Sequence, residues 1–215
     1  MTAMHRRTFL IATLALAAAS THVTEARADD VDDTFAEIKK AREKIKTMVA
    51  AFSQERTIGL LSSTVKSEGE MTLVRPDKLR WELKSPDAVV YWITPDGFAF
   101  STASGGANVS KTAAKKFGDV LSDLLIFLGG DLDKLKTRYD FSVPSKKDGV
   151  VLRAAPKTEE VKKVVKSLEL SVAADLWTVK KIVIEEKSGD RSVITFTKVQ
   201  KDVKVDDAKM KPPKS

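Results

Sequence analysis

The 215-residue chain contains no cysteine, and its only two histidines are His5 and His22. Both histidines lie in a segment with the features of an export signal, so the mature chain would hold neither residue type. Ser-His-Asp and Cys-His catalysis, and the ordinary zinc ligand sets, require one or both of them. Glu68 and Glu70 could pair as acid and base, but they adjoin a turn and have no companion nucleophile. The sequence therefore argues against an enzyme and predicts no metal site and no cofactor.

Long apolar runs are also scarce, and only the run Phe9 to Ala19 stands out. This run is shorter than the roughly 20 apolar residues that a membrane-spanning helix needs. Arg6 and Arg7 precede this run, and Ala26-Arg27-Ala28 follows it with a small-x-small cleavage pattern. The arrangement predicts a signal peptide over residues 1–28, of either the twin-arginine or the general secretory type. Because no cysteine is present to carry a lipid anchor, we expect an exported, soluble periplasmic protein.

The chain also lacks a strong excess of one charge. The chain has 37 basic and 30 acidic residues for a net charge of +7, which falls to about +5 without residues 1–28. The lysines alternate with apolar residues instead of clustering with aromatic ones, so we expect no nucleic-acid partner. Residues 29–215 are a sensible length for one domain, which without disulfides must be stabilised by packing alone, and we expect a monomer.

Hydrophobic spacing predicts the elements of this domain. Apolar residues at steps of three and four predict an amphipathic helix over Thr34–Phe52, and a second helix is predicted over Lys111–Leu128 before Gly129-Gly130. The small, polar segment Ser101–Ser110 predicts a mobile loop. Alternation with period two predicts strands that include Met71 with Leu73, Lys78–Lys84, Val89–Thr94, Phe98 with Phe100, Tyr139–Val143, Val150–Ala154, Leu168–Val172, Thr178–Glu185 and Val193–Val199.

The count of nine to eleven antiparallel strands with two or three helices predicts an α+β fold that is mainly antiparallel β. Such a sheet closes or half-closes into a barrel, and helices then cover its mouth. The strongly apolar helix over Lys111–Leu128 must itself be covered, either by the core or across a ligand cavity.

One stretch of the sequence resembles the LolA family of lipoprotein carriers. Phe52-Ser53-Gln54 follows the first helix, and Gly69 begins an apolar alternation. Arg75-Pro76-Asp77-Lys78-Leu79-Arg80-Trp81 comes next, and Pro86-Asp87 and Asp96-Gly97 complete the order. The similarity covers about residues 35–97 and continues as a pattern only through the second half.

The resemblance implies an incomplete, half-open barrel with a helical lid over an apolar cavity that holds acyl chains. Such a carrier takes an acylated lipoprotein from an inner-membrane lipoprotein-releasing transporter to an outer-membrane receptor or membrane acceptor. It also implies that Arg75 bonds lid carbonyls as a latch, although Arg75 could instead pair with a surface carboxylate. The predicted cavity lining is Met71, Leu73, Leu79, Trp81, Leu83, Tyr91, Leu121, Leu124 and Leu125.

The chain departs from the family pattern at two places. Leu79 stands where the family typically has phenylalanine, and Ser101–Ser110 replaces an aromatic, proline-containing segment. Two other functions therefore stay open on the same fold. One is a carrier of another lipid, such as a glycolipid or a terpenoid lipid, and the other is a lipoprotein-sensing interaction protein.

Overall fold

The structure, a computed structural model, describes residues 28–61, 63–84, 86–102 and 111–213. The predicted signal peptide falls outside these residues except at its last position, and so does most of the predicted loop Ser101–Ser110. The helices are α1 Ala28–Arg42, α2 Lys111–Gly129, α3 Leu132–Lys136 and α4 Glu159–Lys162. The strands are β1 Thr47–Ile58, β2 Ser63–Val74, β3 Lys78–Leu83, β4 Val89–Thr94, β5 Gly97–Thr102, β6 Tyr139–Ser145, β7 Val150–Pro156, β8 Val165–Val172, β9 Val179–Glu186 and β10 Arg191–Lys201.

All ten strands belong to one sheet in the order β5-β4-β3-β2-β1-β10-β9-β8-β7-β6, and every neighbouring pair is antiparallel. The edge strands β5 and β6 do not pair with each other in the described part of the chain, so the sheet is not closed. The chain passes from one edge to the other through the segment that contains α2 and α3. The predicted α+β class, with a mainly antiparallel and incompletely closed sheet, is confirmed.

The helix predicted over Thr34–Phe52 is wrong in its second half. α1 begins earlier, at Ala28, and ends at Arg42, while β1 takes the chain from Thr47 onward. Met48 and Phe52 misled the prediction because a step of four places two residues on one side of a helix and of a strand alike. In β1 the buried residues alternate as Met48, Ala50, Phe52 and Gln54.

Pairing on both sides explains why β1 forms a strand. All twelve of its residues pair with β2, and nine of them also pair with β10. These ladders satisfy the hydrogen-bonding groups of the backbone and bury alternate side chains. Together these gains outweigh the local preference for a helix.

α2 is the most apolar helix of the fold, and most of its second half is buried. Its buried residues include Val120, Leu121, Leu124, Leu125, Phe127 and Leu128. The helix packs against β4, β5 and α3, and α1 packs against β6. Gly130 follows the helix with a φ of +89°, a left-handed conformation in which glycine commonly ends a helix. In the part of the chain that is described, no helix combines the length and the apolar character that crossing a membrane requires.

Candidate functional site

An aromatic group lies at the centre of the sheet face that α2 covers. Trp81 on β3 is fully buried, and the centroid of its ring is 4.3 Å from that of Phe52, 5.9 Å from that of Phe196 and 6.5 Å from that of Phe117. Phe117 comes from α2, so these contacts join the helix to three strands. Ring pairs at such separations stabilise packing beyond the apolar area that they bury.

Gly69 allows this group to form. It lies opposite Phe52 in the β1–β2 ladder, and a Cβ atom at position 69 would stand 2.1 Å from Cζ of Phe52. The missing side chain therefore lets the Phe52 ring lie across β2 and reach Trp81 on the next strand.

The structure places all nine predicted cavity residues in one buried apolar cluster. Strand register explains this for the sheet residues, because Met71 lies opposite Trp81 and Trp81 lies opposite Tyr91. Leu79 is opposite Leu73, and both are fully buried. From α2 come Leu121, Leu124 and Leu125, which are 0%, 0% and 8% exposed. Leu83 belongs to the same cluster. That these residues line an acyl site stays a prediction.

Sequence reasoning missed three aromatic members of this cluster as site residues. Phe52 was assigned to a helix, which hid its alternation with Met48 and Ala50 on β1. Phe117 was read only as part of a helical stripe, and Phe196 only as part of the second-half pattern. Their shared signal is the register: Phe52 is opposite both Gly69 and Phe196, and pairing of that kind is not visible in one strand alone.

Arg75, in the β2–β3 turn, binds backbone carbonyls at the ends of both long helices. Its Nε and Nη2 donate to the Gly129 carbonyl at 3.1 and 2.7 Å, at the end of α2. Its Nη1 donates to the Arg42 carbonyl at the end of α1, and to the Ile45 carbonyl at 3.0 Å. Among the described residues, Arg75 forms no salt bridge, so the alternative of a surface carboxylate partner does not describe this side chain. Whether these bonds act as a latch remains a prediction.

Arg42 is a second guanidinium at the same junction, and the sequence did not single it out. Its side chain is fully buried, its Nη1 donates to the Phe127 carbonyl at 2.9 Å, and its Cζ lies 4.5 Å from the Phe127 ring centroid. Its Nε and Nη2 have no acceptor among the described residues. Burial, followed by the neighbouring positive charge of Arg75, lowers the pKa of Arg42 to about 9.

The two arginines therefore bind backbone carbonyls at the ends of α1 and α2 at one junction. Helix C-termini carry partial negative charge and unsatisfied carbonyls, which favour cationic donors. The geometry lets one junction hold α2 against the sheet by polar bonds at its end, while its leucines contact the apolar face. Polar bonds therefore hold the end of α2 at this junction.

A buried carboxylate near the middle of α2 has a structural role. Tyr139 on β6 donates to Asp123 at 2.6 Å, and Arg138 forms an ion pair with Asp123 at 2.7 Å. Burial raises the pKa of Asp123, while the bonds from Tyr139 and Arg138 act in the opposite direction. In the described part of the chain, no group of three or more carboxylate, histidine or cysteine residues is placed to hold a metal ion.

Comparison with known proteins gives several matches. A family model described as outer membrane lipoprotein carrier protein LolA matches residues 43–212. An outer-membrane lipoprotein carrier protein of Pseudomonas entomophila (strain L48) is 28% identical over 208 residues, which cover 95% of this chain and 92% of that protein. The protein of the same name from Pseudomonas fluorescens (strain Pf0-1) is 27% identical over 187 residues, with 86% of each covered. Among solved structures, the Pseudomonas aeruginosa MucA/MucB complex has a chain with 14% identity and a TM-score of 0.45, covering 86% of this chain and 61% of that one.

Proposed function

Because this chain belongs to the LolA family of outer-membrane lipoprotein carrier proteins, as the motif around Arg75 predicted, we propose that it carries lipoproteins by sheltering their acyl chains. It performs no covalent chemistry in this role. The observation that supports the proposal most is the broad apolar face of an open sheet, covered by a helix whose end is held through Arg75. An acyl chain gains about 0.8 kcal/mol for each methylene removed from water, so it requires such a face to cross an aqueous space.

The acyl chain takes the place of α2 on this face, so of the nine predicted lining residues only the six on the strands would contact it. Leu121, Leu124 and Leu128 are fully buried against it, so the site is already filled when the carrier is empty. Two of the clefts in the described surface, one between β7, α4 and β8 and one beside Asp123, include none of the nine predicted lining residues. Cargo therefore enters as the helix moves away, and the sheet residues exchange leucine contacts for methylene contacts.

The bonds of Arg75 and Arg42 set the balance between the covered and the open face. They stabilise the covered state when the carrier is empty, and loading breaks at least those made to Phe127 and Gly129 at the end of α2. Reforming them favours release of the cargo to an acceptor. Cargo is bound mainly by apolar contact, which has no direction and tolerates chains of different length.

The remaining assignments follow from the sequence and the family. We propose that residues 1–28 direct export and that residues 29–215 act as one soluble, monomeric carrier domain in the periplasm. It would receive cargo from an inner-membrane lipoprotein-releasing transporter and deliver it to an outer-membrane receptor or directly to a membrane acceptor.

The proposal is tested by producing the protein together with a tagged lipoprotein and examining it by native mass spectrometry. We expect a complex with the triacylated form, and none with a variant of the lipoprotein whose acylated cysteine is replaced by serine. Recovery of a free glycolipid or terpenoid lipid instead would assign the same site to another cargo. If neither co-purifies and no acylated peptide binds, the carrier function is wrong.

A further inference from the structure

Two leucines are exposed at the tip of the β1–β2 hairpin, which we call the leucine tip (Leu60 and Leu61). Their side chains are 91% and 67% exposed, the highest values among the large apolar residues that are exposed in the described part of the chain. An exposed pair of leucines has no role in packing its own domain. Adjacent exposed apolar residues of this kind point to a contact with another apolar phase or partner.

A basic cleft lies beside this tip. It has a volume of about 440 Å³ and is formed by α4, the start of β8 and the β9–β10 turn. We call it the lysine cleft, and its lining consists of Pro156, Glu159, Lys162, Lys163, Val165, Lys166 and Lys187. Its lining has four lysines and one carboxylate, and Glu185 pairs with Lys166 beside it, so a moderate excess of positive charge remains.

Contacts between the hairpin tip and the β9–β10 turn join the tip to the cleft. The Asp190 carboxylate in this turn accepts a hydrogen bond from the Gly59 amide at 3.1 Å, and a Cβ atom on Gly59 would lie 2.5 Å from the Gly189 carbonyl oxygen. Lys187 belongs to the same turn, and its amide donates to the Val164 carbonyl at 2.9 Å. The two features therefore form one continuous end of the sheet.

The lysines can exchange their present partners for an external anion. Lys162 pairs with Glu159 at 2.9 Å and Lys166 pairs with Glu185 at 3.3 Å, and all four side chains are substantially exposed to water. Ion pairs of this kind contribute little, because water screens them and the long side chains lose freedom. Arg56 is engaged with Asp190 at 2.7 Å, which fixes the turn beside the tip.

We propose that the leucine tip and the lysine cleft together form a docking surface for a membrane that contains anionic phospholipid. The leucines enter the boundary between headgroups and acyl chains, and the lysines contact the phosphate groups. Neither part is sufficient, since two leucines bury too little area for stable insertion and four lysines give only salt-sensitive attraction. The surface lies outside the aromatic site, so it extends the carrier function without depending on it.

The test measures co-sedimentation of the purified, cargo-free protein with vesicles of phosphatidylethanolamine and phosphatidylglycerol, and with vesicles of phosphatidylcholine alone. We expect binding to the first kind only. Leu60→Ser/Leu61→Ser should weaken it about tenfold. Lys163→Gln/Lys187→Gln should weaken it by roughly tenfold at low salt. Lys39→Gln/Lys40→Gln removes the same charge from the exposed side of α1 and should change binding less than about twofold.

Because the chain has no cysteine, a single introduced one reports on the tip directly. An environment-sensitive dye on Leu61→Cys should shift its emission to the blue when anionic vesicles are added, whereas a dye on Lys40→Cys should not. Absence of vesicle binding, or equal losses in the tip, cleft and α1 variants, would overturn the proposal. Concentration-dependent dimerisation that Leu60→Ser/Leu61→Ser abolishes, with no vesicle binding, would assign the surface to a second copy instead. None of these outcomes bears on the proposed acyl-chain binding, which the native mass spectrometry experiment tests separately.

Discussion

Arg75 connects one turn of the sheet to the carbonyl ends of both long helices. Replacing it with leucine removes donors from the Gly129, Ile45 and Arg42 carbonyls, while the turn keeps its backbone. We expect Arg75→Leu to fold, to retain acylated cargo longer and to transfer it to an acceptor at least tenfold more slowly, because the covered state is less stable. Transfer of a labelled lipoprotein to acceptor vesicles measures this.

Arg75→Lys is the matched control for that variant. A lysine keeps the positive charge but cannot reach several carbonyls with a planar fork of donors, so it should fall between the native protein and Arg75→Leu. Transfer at the native rate by Arg75→Leu would show that the latch role is wrong. Loss of folding by both variants would show that the arginine is structural only.

Asp123 links stability to pH through its burial. Its pKa is raised in the folded protein, so folding is favoured when Asp123 is protonated. This contribution is complete below the pKa of the unfolded chain and is lost as pH rises through the folded pKa. As pH rises through the interval just above the ordinary aspartate range, we expect the unfolding free energy of the native protein to fall relative to that of Asp123→Asn. Urea unfolding across that interval measures the difference.

Tyr139→Phe provides the control for the aspartate. The tyrosine bond favours the ionised carboxylate, so its loss should raise the pKa of Asp123 further and move the pH-dependent interval upward. We also expect a loss of about 1 kcal/mol of unfolding free energy. A pH profile identical for the native protein, Asp123→Asn and Tyr139→Phe would contradict the assignment.

Among individual residues, the sequence was most informative where a motif fixed a local geometry. Trp81 and Leu79 alternate with charged residues on one short strand, and both are buried as predicted. Arg42 could not be found in this way, because it lies in a run of charged residues on an exposed-looking helix end. Its burial depends on Phe127 near the end of α2, which is 85 residues farther along the chain.

At the scale of elements, the proposed function makes α2 compete with cargo for the same face. Leu124 is fully buried, and removing most of its side chain should cost about 2–5 kcal/mol of unfolding free energy. The loss falls on the covered state, so the open state becomes more populated and the apparent affinity for acyl chains should rise. We therefore expect Leu124→Ala to be less stable and yet to bind an acylated peptide several-fold more tightly.

Leu168→Ala is the matched control for this prediction. Leu168 is 6% exposed on β8, in the other half of the sheet from β4 and β5, against which α2 packs. Its loss should lower stability without raising affinity, since it weakens covered and open states alike. Equal affinities for the two leucine variants and the native protein, measured by fluorescence titration, would rule out competition between α2 and cargo.

Strands with clear alternation were predictable, and the first strand was not. Leu79, Trp81 and Leu83 repeat with period two among charged residues, a pattern that a helix does not produce. Met48 and Phe52 are four residues apart and fit both periods. Pairing with β2 and β10, which lie outside the segment, decides in favour of a strand. Local periodicity identified the second helix to within one residue of its end because all of its apolar residues lie between two glycines and a polar loop.

For the whole molecule, the order of strands bears on how the proposed carrier would open. β1 and β10 are paired at the middle of the sheet, so the early and late parts of the chain meet there, and the two edges are connected through α2 and α3. The sequence predicted nine to eleven strands, a range that includes the observed ten, but not this order, because order depends on contacts between distant segments. β1 and β10 therefore each pair with a strand on both sides, whereas the edge strands β5 and β6 each pair on one side only among the described residues.

Loading should therefore change local stability in one part of the molecule only. We expect amide hydrogen exchange of α2 to speed up at least tenfold when an acylated peptide binds, because the helix leaves the sheet and its leucines lose their apolar contacts. Exchange in β1 and β10 should stay within about twofold, since their ladders are central and do not move. The same peptide without its acyl chains is the control and should change neither. Binding that slows exchange in α2 would mean that cargo packs beside the helix and that the helix does not have to move.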